Sequence, residues 1–159
     1  MTKEELIKLL KEHKEDKAKL KIKLKELKTK RLELKGCEEI ETNITTAYGN
    51  NQDIHSKNKI SNKVLDKIEK NDIRRTELKN EIKHLEEEVR DLREKVEAVN
   101  DRLEGLKYKE REILIAYYIE GKTAEEIGEY DYERICGRKC SGRYIRKIVK
   151  KATLKMTNI

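Results

Sequence analysis

The residues between positions 64 and 106 leave little choice of fold. Val64, Ile68, Asn71, Arg75, Leu78, Ile82, Leu85, Val89, Leu92, Val96, Val99, Leu103 and Leu106 succeed one another in alternating steps of four and three, and only Asn71 and Arg75 interrupt the apolar series. A seven-residue repeat sustained over this length keeps one narrow stripe of a helix facing a partner, which is the pattern of a coiled coil. Composition closes off thicker architectures: hydrophobic residues make up 35% of the chain and charged residues 45%, and Trp, Phe and Pro are absent. Any core is therefore a thin seam of Leu, Ile and Val. The fold class expected is all-α, a long antiparallel helical hairpin or coiled coil followed by a small helix-turn-helix domain.

The partner helix precedes it. Leu6, Leu10, His13, Lys17, Leu20, Leu24, Leu27, Arg31 and Leu34 keep the same alternation. Thr2 with Glu5 forms a capping-box pattern at the start and Gly36 supplies a left-handed stop, so the first coiled-coil helix is expected over 1–35. Over 36–59 the periodicity ends and Gly, Asn, Thr and Ser accumulate around Tyr48-Gly49-Asn50-Asn51, which predicts a connector loop. The long helix then occupies 60–106. At about 1.5 Å per residue the first helix reaches roughly 50 Å and the second nearly 70 Å, so a folded-back hairpin leaves seam uncovered. Self-association, with a homodimer as the simplest form, is expected to cover it through Leu78, Ile82, Leu85, Val89, Leu92, Val96 and Val99.

No apolar run is long enough to cross a bilayer, and the Lys-rich start lacks the uncharged core of a signal peptide. The expected location is the cytoplasm, with no membrane partner. Three Cys do not make a disulfide framework. Cys136 and Cys140 have the spacing of half a zinc site, but His13, His55, His84 and Cys37 lie on other elements, so no metal and no cofactor are expected. A phosphate-binding Gly loop, a nucleophile elbow and His-Glu-x-x-His spacing are all missing, which argues against an enzyme.

Charge is uneven. Within 134–159 stand Arg134, Arg138, Lys139, Arg143, Arg146, Lys147, Lys150, Lys151 and Lys155 with no Asp or Glu, while 107–133 is acidic. Unopposed cations in this number imply a polyanion, and double-stranded DNA is the expected partner. The repeat gives way at Gly105 to three short helical patterns. Tyr108 to Glu120 presents Ile113, Leu114, Tyr117 and Tyr118 on one face and stops at Gly121. Thr123-Ala124-Glu125-Glu126 is a second capping box, opening a short helix with Ala124 and Ile127 inward, and Gly128 permits close approach by a neighbouring helix. Ser141 caps a last helix with Ile145, Ile148, Val149, Ala152 and Met156 inward and Arg143, Arg146, Lys147 and Lys150 outward. In a helix-turn-helix one face of such a helix packs on the scaffold and the other enters the major groove. Ser141, Gly142, Arg143 and Tyr144 form its first turn, and Arg138 and Lys139 precede it, completing the candidate DNA-binding set over 107–159.

Thr123-Ala124-Glu125-Glu126-Ile127-Gly128, then Ser141-Gly142-Arg143-Tyr144-Ile145-Arg146-Lys147-Ile148, resembles the promoter-reading region four of bacterial sigma factors. The resemblance implies that Arg143, Tyr144 and Arg146 read bases or backbone while Ile145, Ile148 and Ala152 pack. The whole layout, including the restart Ser61-Asn62-Lys63-Val64, is similar to the ArpU-type regulators of phages and prophages in low-GC Gram-positive bacteria. That likeness implies late-gene transcription control in a bacterial host cell. Twelve residues, Glu129 to Cys140, separate Gly128 from Ser141 where that family has a handful, and an extra helical turn around Tyr132–Ile135 would accommodate them. A phage small terminase subunit, joining a similar domain to an oligomerising hairpin for DNA packaging, and a coiled-coil adaptor that binds no DNA are the competing functions. The acidic 107–133 stretch is open to two roles, meeting a basic surface of RNA polymerase or balancing its own neighbours.

Overall fold

The computed structural model describes residues 2–49 and 62–158, with side chains described at 2–39 and 66–158. The described residues are almost wholly helical, and no strand occurs among them. Two long helices come first, α1 over Lys3–Gly49 and α2 over Asn62–Glu104. The capping box at the start of α1 is formed: the Thr2 backbone N–H donates to Glu5 Oε2 at 2.8 Å and the Glu5 N–H donates to Thr2 Oγ1 at 3.2 Å. The two bonds hold the Glu5 carboxyl below its ordinary range, the backbone bond from Thr2 contributing most.

The expected stop at Gly36 does not occur. Positive φ is found at Gly121 and Gly137, not at Gly36, and α1 runs on to Gly49. A glycine inside a helix costs about 1 kcal/mol relative to alanine, which tertiary contact readily outweighs. Here α2 supplies that contact, since Asn71 Nδ2 donates to the Cys37 carbonyl at 3.1 Å. The polar break in the α2 repeat thus has a partner one residue beyond the glycine. Residues 50–59 of the expected connector, His55 among them, lie outside the described residues, as does Ser61 of the restart motif.

The chain divides into two compact units. One is Lys21–Arg90; the other joins Met1–Leu20 to Asp91–Ile159. In Lys21–Arg90, Leu27, Ile82 and Leu85 form a small core with Leu34 against it. Its ion pairs step backwards along α2 as they step forwards along α1, which defines an antiparallel pair: Lys23 with Glu88 at 2.9 Å, Lys30 with Glu81 at 2.9 Å, and Arg74 with Glu33 at 3.2 Å. The α1 seam differs from the expected one. Leu24 and Arg31 are exposed, whereas Lys23 and Lys30 are half-buried. Their aliphatic stems cover the seam while the ammonium groups reach Glu88 and Glu81. Both lysines hold their protons above the ordinary range because of those hydrogen bonds.

The length argument for self-association loses its premise. α1 has 47 residues and α2 has 43, and within one chain Leu78, Ile82, Leu85, Val89, Val96 and Val99 are buried, with Leu92 half-buried. Within the single chain the residues expected to join two copies are buried or half-buried in a seam between α1 and α2.

In the other unit Leu6 and Leu10 of α1 join Val99, Leu103 and Leu106 of α2 in one core with Ile113, Leu114, Ala124, Ile127, Tyr132, Ile145, Val149, Ala152 and Met156. The α1 residues that follow are polar but inside: His13 is 3% exposed, and Asp16 rather than Lys17 is buried beside it. His13 Nδ1 and Arg102 Nε are buried without a hydrogen-bond partner. Burial lowers the His13 pKa, Lys17 adds to the effect, and a hydrogen bond with Asn100 opposes it. The C-terminal segment therefore does not stand as a separate domain over 107–159, because the first turns of α1 complete its core.

Candidate nucleic-acid interface

Beyond Glu104 the chain makes three helical stretches. α3, Tyr108–Leu114, continues without a break through a π-helical turn at Ile115–Ile119 and stops at Gly121. α4, Ala124–Glu126, passes through a second π-helical turn, Ile127–Asp131, into α5, Tyr132–Cys136. α6 is Gly142–Thr157 and packs against α3 and α4. The capping box of α4 is formed by Thr123 and Glu126, with the Glu126 N–H donating to Thr123 Oγ1 at 3.3 Å and the Thr123 N–H to Glu126 Oε2 at 2.8 Å. These bonds, the backbone one first, hold the Glu126 carboxyl below its ordinary range.

The twelve residues between Gly128 and Ser141 resolve into helix rather than a long loop. Helix runs from Ala124 to Cys136, Gly137 ends it in the left-handed region at φ 70°, and Arg138, Lys139 and Cys140 make the turn before Ser141. The helical turn around Tyr132–Ile135 is thus present. Tyr132 is 1% exposed, so the segment adds a core residue rather than a surface ornament. Close approach at Gly128 also occurs, but to the turn and not to a neighbouring helix. The Cys140 N–H donates to the Gly128 carbonyl at 3.0 Å, and no room for a β-carbon remains between them.

The candidate site residues fall as follows. Ser141 holds the N-cap position of α6, and its carbonyl accepts from the Tyr144 N–H at 2.9 Å; its hydroxyl makes no cap hydrogen bond, unlike the expected side-chain cap. Gly142 is buried against the Glu125 side chain, which occupies the space a side chain there would need. Arg143, Lys147 and Lys150 are exposed on one stripe of α6, opposite Ile145, Val149, Ala152 and Met156, which are buried; Ile148 is half-buried. No hydrogen bond or ion pair engages those three cations among the described residues. Tyr144 is 43% exposed and meets Tyr132 edge to face, with ring centres 5.9 Å apart. Arg138 is exposed in the turn, and Lys139 makes loose pairs with Glu129 at 3.7 Å and Glu133 at 4.0 Å.

Arg146 departs from the role of a free base reader. Its guanidinium donates to Glu125 Oε1, tying α6 to α4 one turn after Gly142. The absent side chain at Gly142 gives Glu125 its seat, and Arg146 closes over it. This pair spans 21 residues of sequence, so no local pattern announces it. Two more ties have the same character. Lys155 Nζ donates to Glu110 at 2.6 and 2.8 Å, joining α6 to α3. Lys122 Nζ donates to both carboxylate oxygens of buried Asp131 at 3.0 Å. Glu120, then Asp131, raises the Lys122 pKa. Glu110, Glu125 and Asp131 are in this way each engaged by one of the chain's own cations.

Sequence reasoning missed Lys107 and Lys109, and with them a groove beside α6. Lys107, Lys109 and Lys151 share a groove with Tyr144 and Lys147. Lys109 Nζ donates to the Tyr132 hydroxyl at 2.6 Å and lies 4.4 Å from the centre of that ring. That hydrogen bond raises its pKa. Cys136 and Cys140 are half-buried against the core, and burial pushes the Cys140 thiol upward. Among the described residues no group of three or more His, Cys, Asp or Glu is placed to hold a metal ion, and no helix is long and apolar enough to cross a membrane. Comparison with family models, with curated proteins and with solved structures finds no match for this chain.

Proposed function

We propose that this protein is a sequence-specific DNA-binding transcription regulator that lays α6 in the major groove. The observation that carries the proposal is the division of α6 into two faces. Arg143, Lys147 and Lys150 stand exposed and unpaired among the described residues on one side, while the other side is fixed in the core and the helix is tied down at Gly142, at Arg146 and at Lys155. Arg146 and Lys155 differ from them in finding an acid within reach on a neighbouring helix. A row left without acids on a rigid helix after a tight turn suits phosphates and base edges. Arg143, in the first turn, is placed for bidentate contact with guanine, and Lys150, two turns on, for backbone. The likeness to ArpU-type regulators suggests phage or prophage late genes as the targets. Self-association forms no part of the proposal, since α1 occupies the seam that would have driven it.

Selection of bound duplexes from a random or phage DNA pool, followed by anisotropy titration of the full chain, tests the reading. With about five phosphates neutralised, log affinity should fall with log salt at a slope near −4.5. Arg143→Ala should cost about 1–3 kcal/mol on the selected site and relax one base position, whereas Lys150→Ala should weaken selected and random duplexes alike. Full-length protein that shows no salt-dependent duplex binding refutes the proposal.

A further inference from the structure

The groove beside α6 has a volume of about 330 Å³ and brings four lysines together: Lys107 and Lys109 from the start of α3, and Lys147 and Lys151 from α6. Among the described residues Glu110 is the only acid in its lining, and Lys155 already holds both oxygens of that carboxylate. Like charges gathered around one hollow repel one another, and their mutual repulsion is relieved when an anion enters. One of the four is fixed in advance, because the Tyr132 hydroxyl accepts from Lys109 and Tyr144 lies beside it, the ammonium 5.6 Å from the Tyr144 ring centre.

We infer that this groove is a phosphate clamp, which holds the sugar-phosphate backbone of the duplex whose major groove receives α6. The inference rests on the DNA-binding reading above and adds to it a second contact surface, supplied by α3. Continuity selects the occupant. Lys147 belongs both to the outward stripe of α6, with Arg143 and Lys150, and to the lining of the groove. A strand that follows the stripe therefore meets Lys151, Lys107 and Lys109 next. Tyr144, partly exposed at the same place, offers a hydroxyl donor to a phosphate oxygen. Holding Lys109 in place beforehand lowers the ordering cost of the contact. The segment 129–140 acquires a task on this account, since its Tyr132 positions a lysine of another helix.

The test uses the full chain and two duplexes, one selected and one random, titrated from about 50 to about 200 mM salt. Lys107 and Lys151 are exposed and make no ion pair among the described residues, so Lys107→Ala and Lys151→Ala should leave the melting temperature unchanged. Each should lower the salt slope by about one on both duplexes, so that the fourfold rise in salt weakens the variant about 3.5-fold less than wild type. The selected base preference should stay intact. Tyr132→Phe keeps the buried ring, frees Lys109, and should weaken both duplexes by the same factor. A double Lys107→Ala, Lys151→Ala variant that keeps the wild-type slope overturns the clamp if Arg143→Ala still relaxes base preference, and the role of α6 then survives it. A slope that drops on the selected duplex alone also overturns it, because a backbone contact is blind to sequence. Wild-type protein without salt-dependent binding removes the DNA reading itself.

Discussion

Gly128→Ala is the change to which the C-terminal unit should respond most sharply for its size. A β-carbon at position 128 would overlap the carbonyl oxygen of Cys140 and lie 3.3 Å from its carbonyl carbon and 3.5 Å from that of Ser141. All three atoms are backbone, so no side-chain rotation relieves the contact. The turn before α6 must move by about 1 Å, at an overpacking cost of about 1–3 kcal/mol. The hydrogen bond from the Cys140 N–H to the Gly128 carbonyl, now 3.0 Å, is weakened or lost for about 0.5–1.5 kcal/mol more. Alanine returns about 1 kcal/mol through its better helix propensity. The net loss is about 0.5–3.5 kcal/mol. For a chain of this size each kcal/mol corresponds to about 2–4 °C, so thermal melts followed by circular dichroism should shift down by about 1–14 °C. Because the displaced turn ends at the N-cap of α6, duplex affinity should fall even at temperatures where the variant is fully folded. A Gly128→Ala protein that melts at or above the wild-type temperature would refute the packing of the turn on this helix.

Gly36→Ala should act in the opposite direction, stabilising by about 1 kcal/mol in the same melts, since a β-carbon there meets nothing within 4 Å and the backbone is helical. Leu85→Ala should cost about 2–4 kcal/mol with a denaturation midpoint independent of protein concentration; a midpoint that rises with concentration would show that the seam is shared between chains. Burial keeps His13 neutral in the folded chain, whereas the unfolded chain takes up its proton near the ordinary value of about 6.5. Stability should therefore fall as pH drops from about 7 towards the lowered folded pKa and level off below it, and the difference between wild type and His13→Leu in pH-dependent melts isolates this contribution.

How far the sequence reached depended on whether an interaction was local. The capping boxes at Thr2 and Thr123, the stop at Gly121 and the inward face of α6 rest on spacings of a few residues, and all are present. Gly36 misled because a single residue's preference was weighed against a tertiary contact that no neighbouring residue reveals, the bond from Asn71 to Cys37. The same holds for the α1 register, where Lys23 and Lys30 turn inward only because Glu88 and Glu81 stand opposite. At the candidate site the cations were legible but their fates were not. Arg143 and Arg146 look alike in the sequence, and Glu125, far off in the chain, engages one and leaves the other exposed. The groove went unseen for the same reason, as Lys107 and Lys151 become neighbours only when α3 packs on α6.

The core that Leu6 and Leu10 complete includes Ala152 and Met156, which follow them far along the chain. During synthesis Leu6 and Leu10 therefore emerge well before Ala152 and Met156 are there to pack against. Until then those leucines, and the faces of Val99, Leu103 and Ile113 awaiting them, are open to solvent or to a chaperone. Anyone cutting the gene to isolate its basic tail meets the same dependence from the other side. A fragment beginning near residue 107 carries Arg143 and its neighbours intact but lacks Leu6, Leu10, Val99 and Leu103, and should be soluble only if residues 1–20 and 91–106 are supplied with it, in cis or as separate peptides.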